Sequence, residues 1–508
     1  MNLTNEYSHG TVYSRICQED ENRRNSAMDE KENQDQAAQW MKHFIDSAVK
    51  FYQEIKQEPA FTEPNPETLL KLQNMKIPEH GRPAAEVLEE MATEIYQKAG
   101  GTRVQHPRCF SCIPSPVSVY SWMGDLLTSV YDPHAGCWMN APGAACIEEK
   151  LIRWMCGLAG YPEKAGGIFL SGGSMANLTA LTAARDNRLT PENRSLGIAY
   201  VSRQTHSSVA KALHIIGFAP EQIRSIETDD QFRMDLQALT RAIQEDRQWG
   251  RIPFAVIATA GTTNTGSIDP LEEIGEICRK NRLWMHVDGA FGASLLLSPT
   301  QRSLLKGIEL SHSISWDAHK WMRQTYGCSM VLVRDASFLS RAFSAHPEYL
   351  KDAEVHNPAE NYWDLGPELT RPARALKLWL TLQITGTKAM GEMIDHGCAM
   401  ARFAESLLQK NPQWEIVSPA RQGILNFRLA PAGYPESCLD QLNQQLAQAI
   451  NASGYAQILT TTLQGKNVLR MCILHPETSP QDIQSVVSFL EKAGEALCRK
   501  TDARRKAS

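Results

Sequence analysis

The stretch "SISWDAHKWM" places Lys320 between His319 and Trp321, just where an apolar run closes. A lysine is ordinarily kept in water, because burying its ammonium is costly. Lys320 is therefore either a surface residue beside two aromatics or an amine that something in a pocket consumes covalently. "LWMHVDGAFGAS" ends a second apolar run on Asp288 and follows it with Gly289, Ala290, Gly292 and Ala293, which clear space beside the carboxylate. Asp288 either caps the next turn or faces a cation, such as a protonated pyridine nitrogen, a metal or an arginine. "FLSGGSMANLTAL" reads as strand, glycine turn and helix. Gly172 and Gly173 let backbone amides approach a ligand, and Ser174 adds a hydroxyl at a helix N-terminus; the set suits a phosphate or a plain tight turn. "ATAGTTNTGSIDP" offers the hydroxyls of Thr262 and Thr263, and "SRQTHSSVAKAL" puts His206 before a helix, where an imidazole can stack on a ring.

A phosphate, a ring nitrogen and an aldehyde occur together in pyridoxal phosphate. Donors for the first, a carboxylate for the second and a lysine for the third follow one another along this chain, with Lys320 lying 32 residues after Asp288. Cys109 and Cys112 form a lone C-x-x-C with no second pair or nearby histidine, so no metal site is expected.

These residues need a scaffold that brings distant strand ends together. From about Gly166, short apolar runs alternate with amphipathic stretches such as "PLEEIGEICRKNR", which predicts βαβ units and a mostly parallel sheet. Ligands of such sheets bind beyond the C-terminal ends of the strands. Ahead of this region, "QAAQWMKHFIDSAVKFYQEIK" repeats Trp40, Phe44, Ala48 and Tyr52 at helical spacing, an apolar face that needs a partner surface. A second helix, "AAEVLEEMATEIYQKAG", stops at Gly100 and Gly101. After it, "GILNFRL" and "NVLRMCIL" read as strands, and a helix begins at Pro480 with Ser479 as its cap. The expected organisation is a polar tail over 1–35, an N-terminal helical segment over 36–125 that packs on a partner subunit, a large cofactor-binding domain over 126–390, and a small α+β domain over 391–508.

The 508 residues are 42% hydrophobic and 21% charged, with a net charge of −5, as befits a large soluble core. The only basic cluster, Arg504-Arg505-Lys506, gives no nucleic-acid footprint. No run approaches the roughly 20 apolar residues of a membrane helix, and the start lacks the apolar core of a signal peptide. Twelve scattered cysteines fit a reducing compartment, so a cytoplasmic protein is expected.

As a set, "DAHKW", "HVDGAFG", "TAGTTNTGSID", "SGGSMANLTAL" and "QTHSSVAKA" resemble the group II pyridoxal-phosphate-dependent amino-acid decarboxylases, over roughly Ile77 to the C-terminus. "HPRCFSCIPSP", "SWMGDLLTSVYDPHAG", "IEEKLIRWM" and "HPEYLKD" are similar to the aromatic-L-amino-acid branch, and most of all to gut-bacterial tryptophan decarboxylases. The resemblance implies an α/β architecture of fold type I, like aspartate aminotransferase, with a seven-stranded, mostly parallel sheet. It implies a homodimer whose active sites lie at the subunit interface, acting on an aromatic amino acid, with tryptophan favoured. Lys320 would be the Schiff-base lysine, Asp288 the partner of the pyridine nitrogen, and Ala290 and His206 the two faces around the ring. Gly173, Ser174, Thr262 and His319 would contact the phosphate or nearby substituents, with Asp317 standing where many relatives have asparagine. Tyr349 matches the family's proton donor on a mobile loop, and His319 is a second group able to move protons. Phe110, Cys112, Ile113, Pro114, His134 and Trp363 would line the substrate pocket. Cys112 replaces a bulky aromatic of close relatives, and Asn140 an aliphatic residue. An aldehyde-forming oxidative decarboxylase is the nearest rival, though that branch usually carries phenylalanine where this chain has Tyr349. A scaffold without chemistry would be expected to lack Lys320 or Asp288.

Overall fold

In a computed structural model, the chain is described at residue 35 and over residues 37–114, 116–345 and 361–507. The described residues form two compact units. One runs to Glu58 and resumes over Glu63–Gly101; the other comprises Pro59–Thr62 and everything from Thr102 onward. The first unit is helical. Along a helix over 37–54, the stripe picked out by spacing is half-buried at Trp40, Ala48 and Tyr52 and exposed at Phe44, and the adjoining Met41, Ile45 and Val49 are exposed as well. The second expected helix is two pieces: Ala84–Glu90 is α-helical, but Met91–Lys98 winds as a π-helix that ends at Ala99. Residue spacing alone does not distinguish these two windings over so short a run.

The second unit is built on a seven-stranded sheet. Its strands are β1 (Gly166–Leu170), β2 (Gly197–Ser202), β3 (Ile223–Ile226), β4 (Ile252–Thr259), β5 (Trp284–Asp288), β6 (Ser313–Asp317) and β7 (Ser329–Val333), in the spatial order β1-β7-β6-β5-β4-β2-β3. Only β7 runs antiparallel to its neighbours, so β1 to β6 all point the same way. Every residue of β2, β5, β6 and β7 is buried, which is why β2, β5 and β7 read as largely apolar runs; β6 alternates serine with Ile314 and Trp316 yet is buried throughout.

Helices cover both faces. In chain order they include α1 (Val119–Tyr131), α2 (Pro142–Leu158), α3 (Gly173–Arg188), α4 (Ser207–Ile215), α5 (Leu236–Gln248), α6 (Leu271–Asn281) and α7 (Ala375–Thr385). Helix α6 buries Leu271, Ile274, Gly275 and Cys278, the i, i+3, i+4, i+7 stripe of an amphipathic helix. Glu272 and Glu273 lie in its first turn and Arg279 and Lys280 in its last, which complements the helix dipole. Helix α3 buries Ala176, Ala180, Ala183 and Ala184, small residues that let it lie close on the sheet.

Beyond α8 (Thr387–Leu408) a smaller antiparallel sheet follows: β8 (Trp414–Arg421), β9 (Ile424–Leu429), β10 (Leu459–Leu463) and β11 (Lys466–Cys472), in the order β8-β9-β11-β10. Helices α9 (Glu436–Ala452) and α10 (Pro480–Ala507) complete this domain around a core that includes Phe427, Leu446, Met471 and Val486. Ser479 caps α10, its hydroxyl 2.6 Å from Asp482.

One buried ion pair joins the large-domain layers. Arg371 and Glu148 are both almost fully buried, with a shortest contact of 2.7 Å. Glu148 on α2 also accepts the Phe169 amide of β1 at 2.9 Å, and Arg371 donates to the Ala135 and Phe169 carbonyls. Both carboxylate oxygens and both terminal guanidinium nitrogens are thus engaged, while Arg371 Nε has no hydrogen-bond partner among the described residues. Glu148→Leu is expected to leave a buried guanidinium uncompensated and to cost ~3–5 kcal/mol. Urea denaturation measures this, and a loss below about 1 kcal/mol would contradict the role given to the pair.

Candidate active site

Because β1 to β6 run one way, the loops after them meet at one edge of the sheet, where ligands of such sheets bind. A cavity of about 300 Å³ opens there. The loop after β1 brings Gly173 and Ser174, and the loop after β2 brings His206. Thr259, Gly261 and Thr263 come from the end of β4, Asp288 and Ala290 from β5, and Asp317, His319 and Lys320 from β6. Asn177, Ser208, Phe291 and Tyr326, which the sequence reading did not single out, also line it.

The end of β6 holds a close ion pair. Lys320 Nζ lies 3.1 Å from Asp317 Oδ2, and His319 Nε2 lies 3.7 Å from the same oxygen. Asp317 Oδ1 is buried and has no hydrogen-bond partner among the described residues. A Cβ on Gly173 would sit 2.6 Å from Asp317 Oδ2, so glycine is needed for the turn to pass this close. Burial holds His319 below the ordinary histidine range, opposed by the nearby Asp317 charge. Its Nδ1 lies 3.2 Å from Ser329 Oγ.

Asp288 is held differently. Its Oδ1 accepts the Ala290 amide and the Ser315 hydroxyl, each at 3.2 Å, and its Oδ2 accepts Asn177 Nδ2 at 3.2 Å. Asn177 is itself fixed by a chain of donors. Trp284 Nε1 can only donate, and it donates to Ser313 Oγ at 2.9 Å. The Asp288 carboxylate only accepts, so the Asn177 amide nitrogen faces it, and also Ser208 Oγ at 3.0 Å, while the Asn177 oxygen faces His286 Nε2 at 2.9 Å. His286, kept neutral by burial that pushes its pKa down, therefore carries its proton on Nε2 and accepts the Ser313 hydroxyl on Nδ1 at 2.8 Å.

Ser208 carries the chain to His206. Its hydroxyl lies 2.8 Å from His206 Nδ1 and its amide donates to the same nitrogen at 3.2 Å. His206 is the N-cap of α4, and because Nδ1 accepts the Ser208 amide, Nε2 is the ring nitrogen that carries a proton. Asn177 thus ties the carboxylate of β5 to the imidazole of α4.

Tyr326 is positioned from behind. Lys377 of α7 donates to the Thr325 hydroxyl and the Tyr326 carbonyl, each at 2.8 Å, and pairs with Asp125 of α1 at 2.9 Å. The Tyr326 ring lies 5.6 Å from that of His319.

Other expected contacts fall elsewhere. The Thr262 hydroxyl lies 2.7 Å from that of Thr265 and is fully buried within its own turn; it does not line the cavity, whereas Thr259, Gly261 and Thr263 do. Phe110 packs in the small-domain core, because its amide donates to the Gln457 carbonyl and its own carbonyl accepts the Cys472 amide. Ile113 belongs to the large core, and Pro114 is half-buried nearby in sequence. His134 and Trp363 meet edge to face at 6.4 Å. None of these, nor Cys112, lines the cavity of a single chain. Tyr349 lies outside the described residues. Asp269, just ahead of α6, is buried and accepts the Met234 and Thr259 amides at 2.7 and 2.8 Å, which anchors the end of β4.

The residues present fit pyridoxal phosphate. A glycine turn at the N-terminus of α3 suits its phosphate, a buried carboxylate satisfied only by neutral donors suits its ring nitrogen, and a lysine opens into the same cavity. The buried orphan oxygen of Asp317 marks a polar demand that the protein itself does not meet.

Comparison with known proteins points the same way. The pyridoxal-dependent decarboxylase conserved domain matches residues 66–430. The aromatic-L-amino-acid decarboxylase of Bacillus atrophaeus is 36% identical over 455 residues, covering 89% of this chain and 94% of that protein. A phenylacetaldehyde synthase of Arabidopsis thaliana is 32% identical over 472 residues, covering 90% and 95%. The crystal structure of Oryza sativa TDC with PLP and tryptamine superposes with a TM-score of 0.85 at 27% identity, covering 91% of this chain and 98% of that one. The chain therefore belongs to the pyridoxal-dependent decarboxylase family, and its cofactor is pyridoxal phosphate.

Proposed function

We propose that this protein decarboxylates an aromatic L-amino acid to the arylalkylamine and CO2, with tryptophan preferred and tryptamine as product. The observation that carries this reading is the meeting of Lys320, Asp288 and the Gly173 turn in one cavity whose described lining contains no arginine. A substrate with an acidic side chain would call for such a cation. The Bacillus relative bears the name of an aromatic-L-amino-acid decarboxylase, and the rice structure holds tryptamine.

When bound, pyridoxal phosphate supplies an electron sink for the bond between the α-carbon and the carboxylate. The chain's own groups have separate tasks. Lys320 is the amine that anchors the cofactor. Asp288 is the carboxylate for its ring nitrogen, and Gly173 and Ser174 offer donors for its phosphate. His206, with its proton on Nε2, covers the cavity from the entry of α4. Tyr349 is assigned delivery of the proton to the α-carbon.

An aldehyde-forming activity is the second reading, favoured by the relative that is a phenylacetaldehyde synthase. Tyrosine at 349 weighs against it, since that branch usually carries phenylalanine there. We further propose a cytoplasmic homodimer. Helix α1 leaves Met123, Leu126, Leu127, Val130 and Tyr131 exposed, an apolar surface of the kind a second copy covers.

The reading is tested by offering the cofactor-loaded enzyme tryptophan, phenylalanine, tyrosine and glutamate. Amine and CO2 in equal amounts are expected, with the highest kcat/KM for tryptophan and no aldehyde or hydrogen peroxide. Lys320→Ala should abolish turnover, and Tyr349→Phe should bind substrate yet fail to release the normal amine. Aldehyde from the parent enzyme would install the second reading instead.

If Asn177 positions Asp288, Asn177→Ala should weaken pyridoxal phosphate binding roughly ten- to hundredfold, the worth of one hydrogen bond to a charged group. Equilibrium dialysis of cofactor-free protein measures this, and unchanged affinity would remove Asn177 from the role. Light scattering should return the mass of two chains, against which a single-chain mass at assay concentration would count decisively.

A further inference from the structure

The C-x-x-C pair takes no part in the chemistry above, yet its two sulfurs are set together. Cys109 and Cys112 flank Ser111, whose hydroxyl lies 3.4 Å from each sulfur and donates to Gln457 at 2.7 Å. The two sulfurs thus share one hydroxyl. The neighbouring Cys109 thiol draws Cys112 below the ordinary cysteine range, helped by Ser111 and by the Arg470 guanidinium, whereas Cys112 and burial push Cys109 up. Of the pair, Cys112 is the better placed to act as nucleophile.

The pair is linked to the cofactor cavity through Arg470. Both sulfurs act electrostatically on the phenol of Tyr326, a cavity residue, and raise its pKa after burial has done so. Arg470 bridges the two regions, donating to the Ser111 carbonyl at 2.9 Å and to the carbonyl of Thr263, another cavity residue, at 3.1 Å.

We propose that Cys109 and Cys112 form a thiol–disulfide exchange site that takes small organic disulfides, with Cys112 as the attacking sulfur and Cys109 as the resolving one. The Cys112 thiolate attacks one sulfur of the reagent RSSR, forms a mixed disulfide and expels RS⁻. The Cys109 sulfur, losing its proton to that thiolate, then attacks Cys112 and expels the second RS⁻. Two electrons pass from the pair to the reagent, which leaves as one RSH and one RS⁻. Closing the bond brings the sulfurs to about 2.0 Å, which displaces Ser111 and with it the Arg470 bridge.

The test mixes reduced, cofactor-loaded protein with dithionitrobenzoate and maps the peptides by mass. The peptide carrying both cysteines should lose two hydrogens and hold no adduct, while the exposed, isolated Cys146 keeps its adduct. In Cys109→Ser the adduct should stay trapped on Cys112, and dithiothreitol should reverse both products. Separate stable adducts on Cys109 and Cys112 of the parent protein would overturn the proposal, and this readout needs no variant to fold. So would labelling of Cys112 in Cys109→Ser that is slower than that of Cys146. An effect on substrate binding rests on the decarboxylase reading. The oxidised enzyme should show a KM for its aromatic substrate raised several-fold, restored by dithiothreitol; an unchanged KM would break that coupling, whereas the mass readout judges the exchange site alone.

Discussion

A carboxylate 5% exposed, with no cationic side chain bonded to it among the described residues, is the constraint around which this site is arranged. Burying such a charge is costly unless donors surround it. The donors of Asp288 are neutral: an amide nitrogen, a hydroxyl and a backbone N–H. Neutral donors stabilise a charge without cancelling it, so its field remains available to a cation in the cavity. The arrangement works only if Asn177 presents nitrogen rather than oxygen to Asp288. A carboxylate only accepts, so the Asn177 nitrogen faces Asp288 and its oxygen faces His286 Nε2, which leaves His286 Nδ1 to accept the Ser313 hydroxyl, itself accepting from the Trp284 indole. The network runs back along β5 from Asp288 to Trp284, so the carboxylate orients the groups behind it.

Sheet register does the rest of the positioning. Thr259, Asp288 and Ser315 are paired across β4, β5 and β6, so the carboxylate has a hydroxyl residue beside it on either side. The Ser315 hydroxyl reaches Asp288, and Thr259 lines the same cavity. The chain turns past Asp317, where the Lys320 amide returns to the Asp317 carbonyl, and this tight turn sets the lysine over the strand end. From the outer side, Lys377 pins Thr325 and Tyr326, and α1 crosses α7 so closely that a Cβ on Gly124 would fall 2.6 Å from the Lys377 Cα.

Residues at strand ends were legible because the signal is local: an apolar run stops and a polar group that could react follows at once. Lys320, Asp288, His206 and Gly173 all carry that mark, and the parallel sheet was readable from the same runs. Asn177 and His286 carried no such mark. One lies inside a helix and the other inside a strand, and their partnership spans 109 residues, so each reads as ordinary interior. Thr262 carries that mark too, but the structure places it outside the cavity lining. Its hydroxyl sits at a strand end, but Thr265 and Ser267 follow within one turn and engage it in a local chain of hydroxyls. Phe110 shows the limit of reading a loop by its side chains alone. Its backbone adds to the small-domain sheet through Gln457 and Cys472, and that pairing rotates the ring into the core.

The cavity's two carboxylates are compensated in unlike ways, and the difference divides their work. Asp288 is met by neutral donors and keeps its charge for a ring nitrogen. Asp317 is met by a cation, Lys320 at 3.1 Å, with one oxygen left unsatisfied. Two carboxylates in one small space would repel if both were left to face the same ligand. Pairing one of them with the lysine removes that conflict and holds the lysine's amine at the strand end, beside the glycine turn. Asparagine, which the family resemblance implies for many relatives at 317, would provide neither the charge nor the tether. In this chain the lysine therefore has a charged partner beside it, where such a relative would have a neutral amide, and the glycine at 173 is the concession that makes room for it.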